Sequence, residues 1–270
     1  MLRIPGLRLW RRRQYDTAQG FCLSHGLAVK KKPKRPGRKP KKPAPGRIRR
    51  ALKWATITAT FGIVTSFLLI LPLRWFDPVT SAFILRDDSG RVPPMFQWVD
   101  WEQLGSSAPL AAVAAEDQRF TDHFGIDFHS IQKSLDAAAN GERLRGASTI
   151  TQQLTKNLFL SPSRNLLRKA VEAYLTVVAE ICLPKRRILE IYLNVVELGP
   201  GIYGVGAASK HFFRKRPDEL TDAEAALLAA VLPNPSRLNV AAPSSYVRER
   251  QRWIVGQMQR LRRDGWLSNL

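Results

Sequence analysis

Cysteine, histidine and acidic residues are scarce in this chain of 270 residues. The two cysteines are too few for a disulfide framework, and the four histidines form no cluster with metal-ligand spacing. The 22 acidic residues are outnumbered by 43 basic ones, which gives a formal net charge of +21. The few cysteines argue against a disulfide-stabilised domain, and the few histidines argue against a zinc site. The excess of basic over acidic residues raises the question of a nucleic-acid partner.

The basic excess lies at the N-terminus. Residues 1–53 hold 18 basic residues and one acid, whereas the other 217 residues hold 25 basic and 21 acidic residues. The stretch Lys30–Arg47 consists mostly of lysine, arginine, proline and glycine, so we predict a disordered basic tail over residues 1–53. This tail is either a solvated topology signal or a surface that adheres to anionic lipid. Its charge gives no reason to expect nucleic acid as a partner.

A long uncharged run follows the tail. Trp54–Leu73 holds 20 residues, which is about the number needed to cross ~30 Å of hydrocarbon. The basic cluster just before it predicts a cytoplasmic N-terminus and export of residues 74–270. Cys22 and Cys182 would then lie on opposite sides of the membrane, where they cannot pair within one chain. A buried helix of a globular protein is the alternative.

The sequence pattern of residues 74–270 predicts a single, mainly α-helical domain. Val79–Glu102 mixes β-forming residues with prolines, which indicates short strands or extended chain. From Pro109 onward the pattern is helical, without alternating strands or internal repeats. Gly199, Gly201 and Gly204 fit G-x-G-x-x-G, but they follow a helix and not a strand, so we predict a tight turn and no dinucleotide site.

An acidic pair, Glu116-Asp117, ends the apolar helical run PLAAVAAEDQRF. If that helix continues to Gly125, Glu116, Phe120 and His123 share one face. A carboxylate beside an aromatic ring at a helix end can have the perturbed pKa that a general base requires. The alternative is a helix whose acids are merely solvated.

The stretch Gly146–Leu160, GASTITQQLTKNLFL, is the second informative segment. Thr149 followed by Gln152 predicts a capping box at a helix start. The helix would carry an apolar stripe on one side and a polar stripe of two glutamines, a lysine and an asparagine on the other. Amides and a lysine suit a sugar-phosphate ligand, although an ordinary amphipathic surface helix has the same pattern.

Ser161–Leu183 predicts a further helix. Its expected buried face is Leu167, Val171, Tyr174, Leu175, Val178, Ile181 and Cys182. Arg168 and Lys169 lie four and three residues before Glu172, which predicts ion pairs with that carboxylate. These pairs are either a surface cluster of small energetic value or a carboxylate held among cations at a site. Two later helices are predicted, one capped by Thr221 and one over Tyr246–Arg263 that covers the domain.

Taken together, these stretches resemble glycosyltransferase family 51, the peptidoglycan glycosyltransferases. EDQRFTDHFGID, GASTITQQLTKN and RKAVE resemble the family's first three motifs, the second almost letter for letter. ILEIYLNVVELGPGIYGVGAAS and AALLAAVLPNPS match later ones, and the colinear match covers about Trp98–Leu261. The chain stops where the bifunctional class A penicillin-binding proteins continue into a transpeptidase domain. It therefore resembles the monofunctional, membrane-anchored enzyme.

The resemblance implies a lysozyme-like, mostly α-helical fold with a membrane-touching lobe, anchored in the inner membrane with a periplasmic catalytic domain. It implies polymerisation of lipid II into glycan strands for cell-wall biogenesis, with inversion and release of undecaprenyl pyrophosphate. The implied partners are lipid II, the growing lipid-linked glycan, the membrane and other cell-wall synthesis or division proteins. No obligatory cofactor is implied, although a divalent cation, Mg²⁺ or Mn²⁺, is compatible with a pyrophosphate substrate.

The resemblance also assigns roles to residues. Glu116 would be the general base that deprotonates the acceptor's sugar 4-hydroxyl, and Glu172 the second catalytic glutamate, which organises cations or a metal near the leaving group. Lys156 and Arg164 would hold the pyrophosphate. The remaining residues expected to bind substrate or support the site are Ser148, Gln152, Gln153, Arg168, Lys169, Asp117, Arg119 and His123.

Two other functions remain open at this point. A lysozyme-like lytic enzyme would use Glu116 as an acid, and a membrane-anchored scaffold would not need it at all. The residue types favour the polymerase, because a departing pyrophosphate needs cations whereas a glycosidase needs an acid to protonate a sugar oxygen.

Overall fold

Helices form most of the regular structure in the computed structural model, which describes residues 45–141, 148–163 and 165–270. The helices are α1 (Pro45–Ile70), α2 (Ser107–Glu116), α3 (Phe128–Ala139), α4 (Ile150–Phe159), α5 (Leu166–Cys182), α6 (Lys185–Val195), α7 (Gly204–Phe213), α8 (Asp222–Val231) and α9 (Ser245–Arg263). The mainly α prediction is confirmed. Most of the predicted basic tail, and Arg164, lie outside the described residues.

Helix α1 contains residues 54–70 of the predicted membrane-spanning run, and a 3-10 turn contains the last three. Within Gly46–Arg74, a stretch of 18 residues has a mean hydropathy of 1.9, so the segment is long and apolar enough to cross a membrane. A short 3-10 turn, Leu71–Arg74, follows the helix and has a proline in its first two positions. The Arg187 side chain donates to the carbonyl of Leu73 within this turn (2.7 Å) and to that of Phe76 after it (3.0 Å). The end of the spanning segment is thereby fixed to α6.

Strands are few and short among the described residues. β1 (Met95–Phe96) pairs in parallel with β3 (Ile202–Tyr203), which pairs antiparallel with β2 (Glu197–Gly199). The tight turn predicted from the glycines is the β2–β3 connection, where Gly201 has φ +67°. The segment before α2, predicted to be extended, holds β1 and two 3-10 turns, at Ile84–Arg86 and Trp101–Gln103.

The buried amide of Asn194 fastens this extended segment to α6. Its Oδ1 accepts from the Val99 backbone N–H at 2.8 Å, and its Nδ2 donates to the Val99 carbonyl at 2.9 Å. One side chain thus imitates the paired hydrogen bonds of a neighbouring strand. Because Asn194 is fully buried, water cannot replace these bonds.

The core surrounds α2, whose residues Ala108 to Ala114 are all buried. Alanines occupy most of these positions, so neighbouring backbones can approach closely. α2 packs against α6, α8 and α9, while α4 packs against α5 and α6. Helix α8 begins at Thr221 with the predicted cap, and α9 begins at Ser245, one residue before the predicted start.

The prediction that α2 continues towards Gly125 is wrong. The helix ends at Glu116, and Asp117 leaves helical geometry with φ −159° and ψ 73°. The carboxylate of Asp117 accepts the backbone N–H of Ile150 at 3.0 Å, where the helix ends. Gly125 has φ +74°, and a Cβ there would lie 2.6 Å from a methyl group of Thr176. This glycine therefore permits close packing on α5 and does not stop a helix.

The buried face predicted for α5 is wrong in most of its positions. Val178 and Cys182 are buried as predicted, but the other side chains that face the interior include Glu172, Thr176 and Glu180. Four of the apolar residues expected inside, Leu167, Val171, Tyr174 and Ile181, are between 38% and 77% accessible. The rule that places apolar residues inside assumes that the polar residues of a helix face water. In α5 the polar residues instead have partners inside the protein.

We expect Asn194→Ala to lower the free energy of unfolding by about 2–4 kcal/mol, because it leaves a backbone N–H and a carbonyl of Val99 buried without partners. Chemical unfolding in detergent measures the change. Asn140→Ala, at an exposed helix end, is the matched control. A loss below about 0.5 kcal/mol for Asn194→Ala would contradict the role given to this amide.

Candidate active site

Glu116 lies at the C-terminal end of α2, and two donors hold its carboxylate. Gln153 Nε2 from α4 donates to Oε2 at 2.8 Å, and Arg250 Nη2 from α9 donates to Oε1 at 3.0 Å. The Glu116 side chain is 14% exposed. A carboxylate has about four lone-pair positions, so these two bonds leave one free position on each oxygen. Glu116 can therefore still accept a proton from a bound hydroxyl.

Tyr192 fixes the orientation of the Gln153 amide. Its hydroxyl donates to Gln153 Oε1 at 3.2 Å, so the NH₂ of that amide faces Glu116. Tyr192 is fully buried, and burial raises the pKa of its phenol well above the ordinary value, with the charges of Glu116 and Asp117 acting in the same direction. The phenol therefore remains a donor at any physiological pH.

Burial raises the pKa of Glu116 above its ordinary value. The hydrogen bond from Gln153, the charge and hydrogen bond of Arg250 and the charge of Lys156 act in the opposite direction and limit the rise. A carboxylate with a raised pKa is a stronger base than one in water. A general base needs this property.

Asp117 is a structural partner of α4. Its Oδ2 accepts the Ile150 backbone N–H at the start of that helix, and its Oδ1 lies 2.9 Å from His123 Nε2. The first N–H groups of a helix lack intrahelical partners and favour a negative charge, so Asp117 fixes the start of α4 beside Glu116. Gln152 completes the predicted capping box with Thr149 and is buried. It is not among the residues that line the groove described below.

A second buried carboxylate, Glu172, lies on α5. Arg168 Nη1 donates to its Oε2 at 2.6 Å, and Lys169 Nζ pairs with its Oε1. Lys169 also donates to Ser148 Oγ at 3.2 Å. The ion pairs predicted from the spacing therefore exist, but Glu172 is 3% exposed and the cluster is no ordinary surface network.

Lys156 on α4 interacts electrostatically with both glutamates. Burial lowers the pKa of its ammonium, while the negative charges of Glu172 and Glu116 raise it and the neighbouring Arg168 and Lys169 lower it. Lys156 is therefore a partly desolvated cation close to both carboxylates. Such a cation attracts an anionic ligand more strongly than an exposed lysine would.

An open groove of about 890 Å³ runs past Glu116. Its lining residues are Ala115, Glu116, Ser148, Gln153, Lys156, Leu232, Pro233, Tyr246, Glu249, Arg250 and Trp253. A second cavity of about 300 Å³, on the side of Asp117, Arg119 and Lys133, shares four lining residues with the groove: Ala115, Glu116, Ser148 and Trp253. Glu116 therefore lies where two spaces meet, as a base between two substrates must.

The structure brings most of the predicted site residues together. Four of them line the groove: Glu116, Ser148, Gln153 and Lys156. Arg168 and Lys169 lie beside the groove, where both are paired with Glu172. Asp117, Gln152 and His123 bond within the protein, while Arg119 pairs with Asp127 at 3.4 Å and also lines the second cavity.

Sequence reasoning missed Arg250 and Tyr192. Arg250 is one of several arginines on α9, and nothing in their spacing singles out the one that reaches Glu116. Tyr192 lies in a helix with an apolar face, where the sequence predicts only that a tyrosine is part of the hydrophobic core. Only the packing of α9 and α6 against α2 and α4 identifies them.

The described residues contain no group of three or more histidine, cysteine, aspartate or glutamate side chains arranged to hold a metal ion. Both oxygens of Glu172 already accept from cationic side chains.

Comparison with known proteins gives a consistent result. The family model described as transglycosylase matches residues 90–259. The chain is 43% identical over 220 residues to the biosynthetic peptidoglycan transglycosylase of Shewanella oneidensis, covering 79% of this chain and 94% of that protein. It is 53% identical over 200 residues to the protein of the same name from Pasteurella multocida, covering 71% and 81% of the two chains. Chromohalobacter salexigens has another, 43% identical over 230 residues, with 83% and 98% covered.

Proposed function

Because this chain belongs to the transglycosylase family and is a peptidoglycan glycosyltransferase, we propose that it polymerises lipid II by direct displacement of undecaprenyl pyrophosphate. The observation that supports this proposal is a largely desolvated carboxylate, Glu116, at the junction of two cavities with a partly buried cation, Lys156, in the same groove. A base and a cation in one groove match the two changes of charge in the reaction.

Glu116 is the general base in this proposal. It takes the proton from the 4-hydroxyl of the acceptor sugar as that oxygen attacks the anomeric carbon of the donor. The carbon–oxygen bond to pyrophosphate breaks on the opposite face, so the configuration inverts. The 14% exposure of the Glu116 side chain is enough for a sugar hydroxyl to reach it, and Gln153 and Arg250 hold it in one orientation.

Lys156 binds the pyrophosphate and neutralises the charge that develops on it. A diphosphate leaves without protonation, so its stabilisation comes from cations that are already in place. Arg168 and Lys169 extend the positive region, and Glu172 holds both of them. Glu172 thus organises these cations beside the groove. Ser148 contacts Lys169 and lines the groove, where it is available to a phosphate oxygen.

The proposed topology has α1 in the inner membrane and the catalytic domain on the periplasmic side. One exposed residue of α5, Tyr174, shares a hydrogen bond of 2.7 Å with Ser66 on α1, so this side of α5 meets the spanning helix. We assign this exposed side of α5 to contact with lipid, because such a patch is rare on a protein that meets only water. A tethered enzyme also gains effective concentration towards a substrate that stays in the membrane.

We expect Glu116→Gln to lower strand synthesis by ~10²-fold or more, because the amide cannot accept the hydroxyl proton. Purified full-length protein with labelled lipid II, read as polymer on a gel, measures the effect. Asn140→Ala serves as the control with full activity. Near-normal polymer from Glu116→Gln would remove this residue from the mechanism and would favour a different base.

Arg250→Ala should move the acid limb of the pH–kcat/KM profile to higher pH. Arg250 lowers the pKa of Glu116, so its removal lets that pKa rise further, and a larger share of Glu116 is protonated and inactive at a given pH. Arg250→Lys keeps the charge and should give an intermediate profile. An acid limb that stays in position in Arg250→Ala would show that another group controls it.

Lys156→Ala should reduce kcat/KM by about 10- to 100-fold, because a pyrophosphate loses a charge-assisted contact. The loss should be larger in kcat than in KM, since the charge on the leaving group grows in the transition state. Steady-state rates with lipid II make the measurement. Unchanged kinetics would mean that Lys156 does not contact the leaving group.

A further inference from the structure

We propose that Phe83, in the segment between the spanning helix and the catalytic domain, is a positioning residue that holds Lys156 for the reaction. This inference rests on the role proposed above for Lys156. It makes the connecting segment part of the active site and not only a tether. Phe83 precedes residues 90–259, the part of the chain that matches the family.

The first observation is the contact between the two side chains. Lys156 Nζ lies 5.5 Å from the centroid of the Phe83 ring, within the ~6 Å over which an aromatic face attracts a cation. The two carboxylates that act on Lys156 are already bound by other groups. Gln153 and Arg250 donate to Glu116, and Arg168 and Lys169 to Glu172. The ring is therefore a direct partner of an ammonium whose counterions are held elsewhere.

The second observation is that Phe83 is bound to the helix that carries Lys156. The backbone N–H of Ala82 donates to the Leu158 carbonyl at 3.0 Å, and that of Phe83 to the Asn157 carbonyl at 3.2 Å. Both acceptors are in the last turn of α4, where carbonyls lack intrahelical partners. Satisfying them fixes the backbone of Phe83 directly beside the turn that holds Lys156.

The third observation is that the connecting segment is secured on both sides of Phe83. On the N-terminal side, Arg187 binds the carbonyls of Leu73 and Phe76 and the carboxylate of Asp77. On the C-terminal side, the Tyr203 hydroxyl donates to Asp87 at 2.9 Å. The ring position is thus set by the domain and by the end of the spanning helix together.

The aromatic face has a defined effect on the lysine. It covers one side of the ammonium, and the N–H donors on the other side remain available to a phosphate. It also favours the charged form of a cation that burial disfavours. A leucine of similar bulk would keep the cover but would lose the electrostatic attraction.

The test uses full-length protein in liposomes with labelled lipid II and compares Phe83→Leu with Phe83→Trp. We expect Phe83→Leu to lower kcat/KM about three- to tenfold, mainly through kcat, and to move the alkaline limb of the pH profile to lower pH. Phe83→Trp keeps an aromatic face and should retain both the wild-type kcat/KM and the wild-type position of the alkaline limb. Phe76→Leu makes the same substitution at an exposed ring of the same segment and should change neither.

A direct readout accompanies the kinetics. Acetylation of the Lys156 amine, followed by mass spectrometry as a function of pH, reports its protonation without any turnover. Labelling in Phe83→Leu should begin at a lower pH than in wild type, and in Phe83→Trp it should not. Equal labelling curves, or a tryptophan variant as impaired as the leucine one, would overturn the proposal.

Lys156→Ala in the same assay separates this inference from the proposed function. If Lys156→Ala loses activity while Phe83→Leu does not, the role of Phe83 is wrong and that of Lys156 stands. If Lys156→Ala is active, the proposed pyrophosphate contact fails, and the labelling curves alone decide whether Phe83 controls the charge. The double variant should be no worse than Lys156→Ala, because the two residues act through one contact.

Discussion

An ionised carboxylate is expensive to bury, and this site is organised around carboxylates that are buried nevertheless. Without partners, such a group takes up a proton and loses its charge. Each of these carboxylates accepts at least one hydrogen bond, and several of the donors are cations or helix-terminal N–H groups. The carboxylates are those of Glu116, Asp117, Glu172 and Glu180. Removing one partner of a buried pair typically costs about 3–5 kcal/mol. The positions of these acids are therefore tightly constrained.

Helix α4 supplies partners to nearly all of these acids. Its first N–H binds Asp117, Thr151 donates to Glu180 at 2.6 Å, and Gln153 donates to Glu116. Its polar residues point in several directions, and Thr151 and Thr155 are almost completely buried. α2 and α5 are thus fixed relative to a single helix that also carries Lys156. The separation between the base and the cations is set before substrate arrives, which is what electrostatic catalysis requires.

The sequence predicts those features whose causes are local. The capping box at Thr149, the N-cap at Thr221 and the ion pairs of Glu172 follow from local sequence, and the structure contains them. The end of α2 could not be predicted in this way. It depends on a bond from Asp117 to Ile150, 33 positions further along the chain. Local helix propensity carries no information about such a contact.

Arg250 and Phe83 escaped prediction for a related reason. Arg250 reaches Glu116 across 134 positions of sequence, and Phe83 meets Lys156 only because the connecting segment folds back onto α4. Each has an ordinary appearance in its own stretch of chain, since α9 is rich in arginine and the connecting segment holds several aromatic residues. The roles of these residues come from tertiary packing, which the sequence of one chain does not reveal.

The reversed polarity of α5 connects the site to the substrate. Glu172 points inward to its cations while Val171 and Tyr174 are exposed, so charged and apolar surfaces lie on opposite sides of one helix. An α-helix with its side chains is about 10–12 Å across. A lipid diphosphate has its charges directly where the hydrocarbon tail ends, so an enzyme that keeps the tail in the membrane needs cations within about that distance of the lipid. On the proposed topology, α5 provides this arrangement, because its apolar side would face lipid while its carboxylates face the protein interior.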